Sequence, residues 1–376
     1  MPTGHVPYSM SQLDLDMITS VPQGGNWKDI PLSVPSKRLD QIRLSGGRTT
    51  LYGRLAWDKP SFTITTYFNR PGNGTYVHPD SDRMITSAEA ARFQSFPDSF
   101  IFSGSKTMRT KQIGNAVPPL LAYQIARQIM KVDPKCRNMV DLFCGAGGLS
   151  LGFEWANFNC LVANDNFKNA SETYQANFAH TDFVFGDIVE TSTKQKIFKV
   201  LKDKEAVDIV VGGPPCQGFS NAGKRLIDDP RNKLYKEFIN IVIITKPRVV
   251  LMENVEGILS MENGRVFADI RKDLEELGYF VEAKKLNTVE YGIPQRRKRV
   301  IIIGSRDNNA DLMFPERITD ITEPLTTRDA IGDLPLDPVV KIETNVKPKK
   351  PSSSYQELMQ GKITPEKFIN DLKSNQ

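Results

Sequence analysis

Two stretches of the chain place reactive side chains at the ends of apolar runs. In residues 207–220, VDIVVGGPPCQGFS, Cys216 follows a strand-like run in a turn stiffened by Pro214 and Pro215 and followed by flexible Gly218. Thiolate is the reactive form of cysteine, and a backbone amide near a strand end helps to stabilise it; an unpaired buried cysteine is otherwise a small hydrophobe. Residues 248–260, RVVLMENVEGILS, end a second run with Glu253 and Asn254. Strand ends of a parallel sheet open onto one crevice, so Glu253 can meet the Cys216 thiol. An acid beside a nucleophile suits covalent catalysis with proton transfer, and a surface charge is the plainer alternative for the carboxylate.

A third stretch suits ligand binding. Residues 139–154, MVDLFCGAGGLSLGFE, read as a strand, a glycine turn (Gly145, Gly147, Gly148) and a helix. Such a turn lets the backbone approach a nucleotide-like cofactor closely at the helix N-terminus, though purely structural βα turns look similar. Asp165 ends the next run, NCLVAND, at the ~20-residue offset where an acid can accept ribose hydroxyls. Asp187 ends the following one in FGDI, and helix capping is the alternative role for either aspartate.

These residues need a scaffold, and residues 139–304 supply the pattern for one. The runs MVDLF, NCLVAND, DFVFGDI, VDIVVGG, RVVLMEN, FVEAKKL and RVIIIGS alternate with helical patterns, including residues 233–245 and 266–277, the latter ending at Gly278. That alternation predicts βαβ units, a largely parallel sheet and an α/β fold class. Residues 1–110 differ: the turn-forming PQGGNW, LSGGRTT and NRPGNGT separate short strand-like pieces, which predicts a loop-rich second domain. Residues 118–131 have apolar positions at helical spacing and should pack on the sheet, and the polar residues 132–138 link them to its first strand. The last 22 residues form a peripheral helix or stay mobile.

The 376 residues, 39% hydrophobic and 25% charged, have a globular composition with material for two or three domains at about 150 residues each. A net charge of +5 permits a polyanionic partner without demonstrating one. Four cysteines without a CxxC pair, and only three histidines, argue against zinc and disulfides. No run approaches the ~18 apolar residues of a membrane span and the N-terminus lacks signal-peptide character, so a soluble cytoplasmic protein is expected.

Taken together, DLFCGAGGLS, GGPPCQGFS, ENVEGI and YGIPQRRKRVIIIGS resemble successive signature blocks of the DNA cytosine-5 methyltransferases. RMITSAEAARFQSFPDSF (83–100) and KQIGNAVPPLLA (111–122) resemble that family's last two blocks, yet here they precede the others. The order is similar to that of circularly permuted bacterial modification methyltransferases, and the resemblance covers about residues 48–306.

The resemblance implies a Rossmann-like, mostly parallel sheet that uses S-adenosyl-L-methionine, with a smaller loop-rich β domain for target recognition. It divides the chain into a recognition domain (1–110), a catalytic cofactor domain (111–306) and a C-terminal segment leading back to the recognition domain (307–376). Cys216 is the implied nucleophile at cytosine C6, and protonated Glu253, with a raised pKa, neutralises N3. Arg299 contacts the base, with Arg297 nearer the phosphate or the loop. Phe143, Gly145 and Gly147 lie beside the cofactor, Asp165 at its ribose and Asp187 with Ile188 near adenine; Pro215, Leu234, Asn115 and Val117 complete the pocket. The usual family residue at the ribose is Glu, and the shorter Asp165 can still reach. Duplex DNA is the implied partner, met by Gln217, Ser220, Lys224 and Arg225 in a closing loop and by Arg43, Arg48, Arg54 and Arg70 in the recognition domain, where a merely solvated basic face is the alternative for each. A cognate restriction endonuclease is the implied functional partner of a monomeric enzyme.

Three readings compete with this one. An RNA cytosine-5 methyltransferase would share the chemistry, and comparing tRNA with duplex DNA as substrate separates the two. A silent DNA-binding relative should lack Cys216 or Glu253, and both are present. A nicotinamide oxidoreductase explains the glycine turn but gives no reason for PPCQ, ENV and QRRKR together.

Overall fold

All seven apolar runs form strands of one sheet in the computed structural model, which describes residues 4–215, 234–336 and 347–374. In chain order the strands are β1 (Asn138–Leu142), β2 (Asn159–Asp165), β3 (Asp182–Phe185), β4 (Ile209–Gly212), β5 (Val249–Val255), β6 (Phe280–Asn287) and β7 (Lys298–Ser305). Their spatial order is β3-β2-β1-β4-β5-β7-β6. The pairs from β3 to β5 are parallel, and β7 is inserted antiparallel to both β5 and β6. The expected α/β class with a mostly parallel sheet is therefore found. Val- and Ile-rich runs suit strands covered on both faces; β1 and β4 are buried along their whole length.

The helices of this unit are α1 (Pro119–Val132), α2 (Gly148–Trp155), α3 (Lys168–Asn177), α4 (Thr191–Lys202), α5 (Leu234–Thr245) and α6 (Arg265–Glu276). Ile197, Phe238, Ile241, Val242, Ile270 and Leu274 bury against Val140, Leu142, Val210 and Val250 of the sheet. Each such side chain contributes roughly 1.5–3 kcal/mol. Helix α1 packs on α2 at Gly152, where an added Cβ would stand 2.3 Å from the Pro119 carbonyl oxygen and 2.6 Å from the Tyr123 nitrogen. Only glycine permits that approach, which brings the helix preceding β1 onto the helix following it. Gly278, at φ +86°, follows the last turn of α6 as the sequence predicted.

The chain divides into two units, residues 116–287 with 298–317, and residues 1–115 with 288–297 and 318–376. This differs from the expected boundaries at 110 and 306, and Gln295 shows why. Its side-chain oxygen accepts the Ile64 amide at 2.8 Å, and its nitrogen donates to the Phe93 carbonyl at 3.0 Å and to Gln94 Oε1 at 2.7 Å, so residues 288–297 belong with the N-terminal segment.

The segmented unit holds more helix than its loop-rich β reading expects. Its strands are two or three residues long: Gly53–Arg54 pairs with Thr75–Val77, and Ser61–Phe62 with Gln295–Arg296. Helices span Gln12–Thr19, Lys37–Ser45, Ser87–Phe93 and Lys106–Asn115. Ser11, Ser36 and Thr86 cap the first three, and Thr86 and Glu89 form a capping box. The C-terminal residues are anchored helices, Ser354–Met359 and Pro365–Ser374, with Tyr355 and Phe368 buried. Arg92 ties the unit together: its guanidinium is buried between Asp98 and Asp333, and the Tyr355 hydroxyl donates to its carbonyl. Among the described residues no helix is long and apolar enough to cross a membrane.

Candidate functional site

The turn between β1 and α2 is built on three left-handed residues, Phe143 (φ +56°), Gly145 (φ +54°) and Gly147 (φ +90°). At Gly147 a Cβ would lie 2.4 Å from the Phe178 ring, so α3 packs directly on the turn. At Gly145 it would meet nothing within 4 Å, which leaves the backbone open on that side. Asp165, at the end of β2, accepts the Gly145 amide on Oδ2 at 2.9 Å and the Phe167 amide on Oδ1 at 2.7 Å. Burial raises its pKa and the bonds from Phe167, Gly145 and Asn166 lower it, with burial prevailing. Asp165 thus shapes the glycine turn, and each of its oxygens retains a lone pair for a ribose hydroxyl.

Around this turn the other expected cofactor residues take different positions. Asp187 is exposed and caps its own turn through the Val189 amide at 3.0 Å. Ile188 is buried in the sheet core, against whose edge Phe143 and Leu234 also pack. Pro215 is exposed, while Asn115 and Val117 fall on either side of the boundary between the units. An open glycine backbone beside a strand-end carboxylate fits an adenosine-type cofactor.

Glu253 sits one strand away from the PPCQ turn. The β4–β5 register sets Gly212 opposite Met252, and a Cβ on Gly213 would stand 3.2 Å from Glu253 Oε2. Asn254 Nδ2 donates to the Pro214 carbonyl at 2.9 Å and holds the proline turn to β5. From β7, Arg299 brings Nε to 2.8 Å from Glu253 Oε1; this is ion-pair distance, without the alignment of a hydrogen bond. Both side chains are largely buried, at 11% and 14% exposure. The description of this turn ends at Pro215, and Cys216, Gln217, Ser220, Lys224 and Arg225 lie outside the described residues.

Two expected DNA or phosphate contacts are corrected. Arg297 is fully buried, and its guanidinium donates to the carbonyls of Ile64 at 3.1 Å and Gly114 at 3.0 Å. It cross-links three segments of its unit and faces no solvent. Arg54 is 5% exposed and donates to the carbonyls of Ile18, Val21, His78 and Ser81 and to Asp82. Arg43 is half-buried, on the carbonyls of Ile30 and Pro31, whereas Arg48 and Arg70 are exposed. Sequence reasoning missed the anchoring parts of Asn254 and Gln295, whose signal is a polar residue at a strand end. Arg297→Met should cost about 2–5 kcal/mol in stability, because it strands two carbonyls. Denaturant midpoints of the variant and the wild-type chain check this.

The sheet order places the glycine turn with its acid and the Glu253–Arg299 pair at neighbouring strand ends of an α/β protein. The chain belongs to the C-5 cytosine-specific DNA methylase family, which it matches over residues 15–131 and 137–376. It is 41% identical over 250 residues to the Type II methyltransferase M.AgeI of Thalassovita gelatinovora, covering 60% of this chain and 58% of that one. To the Type II methyltransferase M1.HphI of Haemophilus parahaemolyticus it is 42% identical over 221 residues, covering 57% and 58%. A solved triple mutant of Spodoptera frugiperda DNMT2 shares 28% identity over 46% of this chain and 50% of that one, with a TM-score of 0.38. The chain thus spans somewhat over half the length of these curated relatives.

Proposed function

We propose that the chain methylates C5 of a cytosine within a specific word of duplex DNA, using S-adenosyl-L-methionine. The observation that carries the reading is the meeting of Glu253, Arg299 and the Gly213–Pro215 turn at adjacent strand ends. S-adenosylmethionine supplies an electrophilic methyl group when bound; Phe143, Gly145, Gly147 and Asp165 would hold it, with Asp187, Pro215, Leu234 and Val117 around them. Cytosine C5 is a poor nucleophile until a thiolate adds at C6. Cys216 makes that bond, the C5–C6 π pair becomes available at C5 and takes the methyl group, and loss of the C5 proton then expels the Cys216 thiolate from C6 and restores the ring. Charge accumulates at N3, where Glu253 supplies a proton while Arg299 fixes its carboxyl. The target nucleotide must leave the duplex to reach Cys216, at a cost of a few kcal/mol. The family resemblance assigns DNA contact to Gln217, Ser220, Lys224 and Arg225. Bisulfite sequencing of DNA from cells expressing the chain reads the modified cytosine and its word together, and no modified word anywhere would refute the proposal.

The enzyme acts as a cytoplasmic monomer, protecting DNA from a cognate endonuclease. Exposed Arg48 and Arg70 contact phosphates. Alanine at either should weaken DNA binding on all sequences and lower the slope of log affinity against log salt by about 1.

We also propose that the chain is circularly permuted. The family match falls in two stretches separated by residues 132–136, and α1 packs on α2 through Gly152. A rearranged chain running from Asn138 to Gln376, then through a flexible joint into residues 1–131, should fold and methylate the same word. Folding without donor binding would argue against the permutation.

A further inference from the structure

A chain of buried polar groups lies against the glycine turn and has no part in the chemistry above. Asp141 of β1 is fully buried two residues before Phe143. Its Oδ2 accepts the Ser150 hydroxyl at 2.6 Å, from the first turn of α2. Ser150 Oγ in turn lies 2.7 Å from the Tyr174 hydroxyl of α3, which lies 3.5 Å from the Cys160 thiol of β2. With Ser150 donating to the carboxyl, Tyr174 donates to Ser150, so both hydroxyl donors point toward Asp141, while the Cys160 thiol also faces the Val162 carbonyl at 3.7 Å. Tyr174 also closes on the turn itself, 3.1 Å from where a Cβ on Gly147 would stand. The other oxygen, Asp141 Oδ1, is buried with no hydrogen-bond partner.

An unpartnered buried carboxyl oxygen is costly, and it needs an explanation beyond packing. As a carboxylate, Asp141 carries a buried charge near Asp165, which itself holds the Gly145 amide; as an acid, it donates from Oδ2 only if the hydroxyl chain through Ser150 and Tyr174 reverses, and Oδ1 stays without a partner in either state. Both states are under-satisfied, so a charge arriving at the turn can tip the balance. The other titratable groups facing it are Cys144 from the turn, Cys160 from β2 and Tyr174 from α3, all neutral because burial raises them. Burial also lifts the Asp141 carboxyl to about 7, with the Ser150 bond opposing and Asp165 adding to the rise.

We propose that Asp141 is a positioning residue of the glycine turn that gives up its proton when a cationic methyl donor is taken up there and keeps more of it when the demethylated product is bound. This rests on the methyl-donor reading. The sulfonium of S-adenosylmethionine favours the carboxylate, whereas the thioether sulfur of S-adenosylhomocysteine is neutral. A donor that favours the deprotonated form binds more tightly as pH rises through the free carboxyl's range, and the gain ends above it. The same device distinguishes substrate from product at the turn.

Calorimetric titration of the full chain with S-adenosylmethionine, in buffers of different ionisation enthalpy, counts the protons. At pH 7 about half a proton should leave per donor bound, because a group titrating near 7 is half protonated there. S-adenosylhomocysteine should release clearly less, and Asp141→Asn should reduce the release for the donor to background. Ser150→Ala removes the bond that favours the carboxylate, so its release should move to higher pH, a change that a merely structural hydroxyl would not produce. Equal release for the two ligands overturns the proposal even if no variant folds. Unchanged release in folded Asp141→Asn also overturns it and assigns the proton to another group, such as Asp165. If neither ligand binds the wild-type chain, it is the methyl-donor reading that fails.

Discussion

Replacing Cys216 with alanine is expected to abolish methyl transfer and the covalent complex with 5-fluorocytosine DNA, while donor and DNA binding persist. The expectation rests on the state of the other thiols as much as on the PPCQ motif. Cys136, Cys144 and Cys160 are all buried. Burial raises Cys136, drives Cys144 well above its ordinary value, and pushes Cys160 up to about 12. None supplies thiolate near neutrality, and thiolate is the species that adds to C6. Transfer of labelled methyl to duplex DNA and a denaturing gel of the fluorocytosine adduct measure the two losses. Turnover in folded Cys216→Ala would refute the assignment.

Glu253→Gln should slow the chemical step by about 10²–10⁴-fold, the range for a positioned proton donor, while DNA affinity changes only a few-fold. The amide keeps the size of the carboxyl and its place beside Gly213, so the turn leading to Cys216 should hold its shape. What is lost is the group that holds and delivers the proton for N3, while the Oε1 facing Arg299 keeps an oxygen in its place. Single-turnover rates set against equilibrium DNA binding separate the two effects. A loss shared equally between rate and affinity would make Glu253 a binding residue.

The sheet was legible because its central strands β1, β2, β4, β5 and β7 are continuous apolar runs buried along most of their length, and local sequence suffices to recognise such runs. The glycine turn was legible for a related reason: Gly147 is required both by its φ and by the Phe178 ring against it. The arginines were not legible. Whether Arg54 meets a phosphate or four carbonyls depends on where Ile18, Val21, His78 and Ser81 arrive, and no spacing around Arg54 encodes that. Arg297 was misread likewise, since its partners Ile64 and Gly114 are remote in sequence. Glu253 and Arg299 were found as members of motifs, but their pairing comes from β7 entering antiparallel beside β5, a register set by the whole sheet.

The Arg92 cluster has a consequence for biosynthesis. Residues reach the ribosome exit in chain order, and domains tend to fold as they emerge. The segmented unit is started first, yet Asp333 and Tyr355, which complete the surroundings of Arg92, lie 241 and 263 residues downstream. The sheet unit, whose last segment ends at residue 317, has all its parts earlier. The sheet therefore matures first and the unit begun before it is finished last, so a premature stop before Asp333 would leave a sheet able to form and an N-terminal segment whose Arg92 is paired with Asp98 alone, without Asp333 and the Tyr355 hydroxyl.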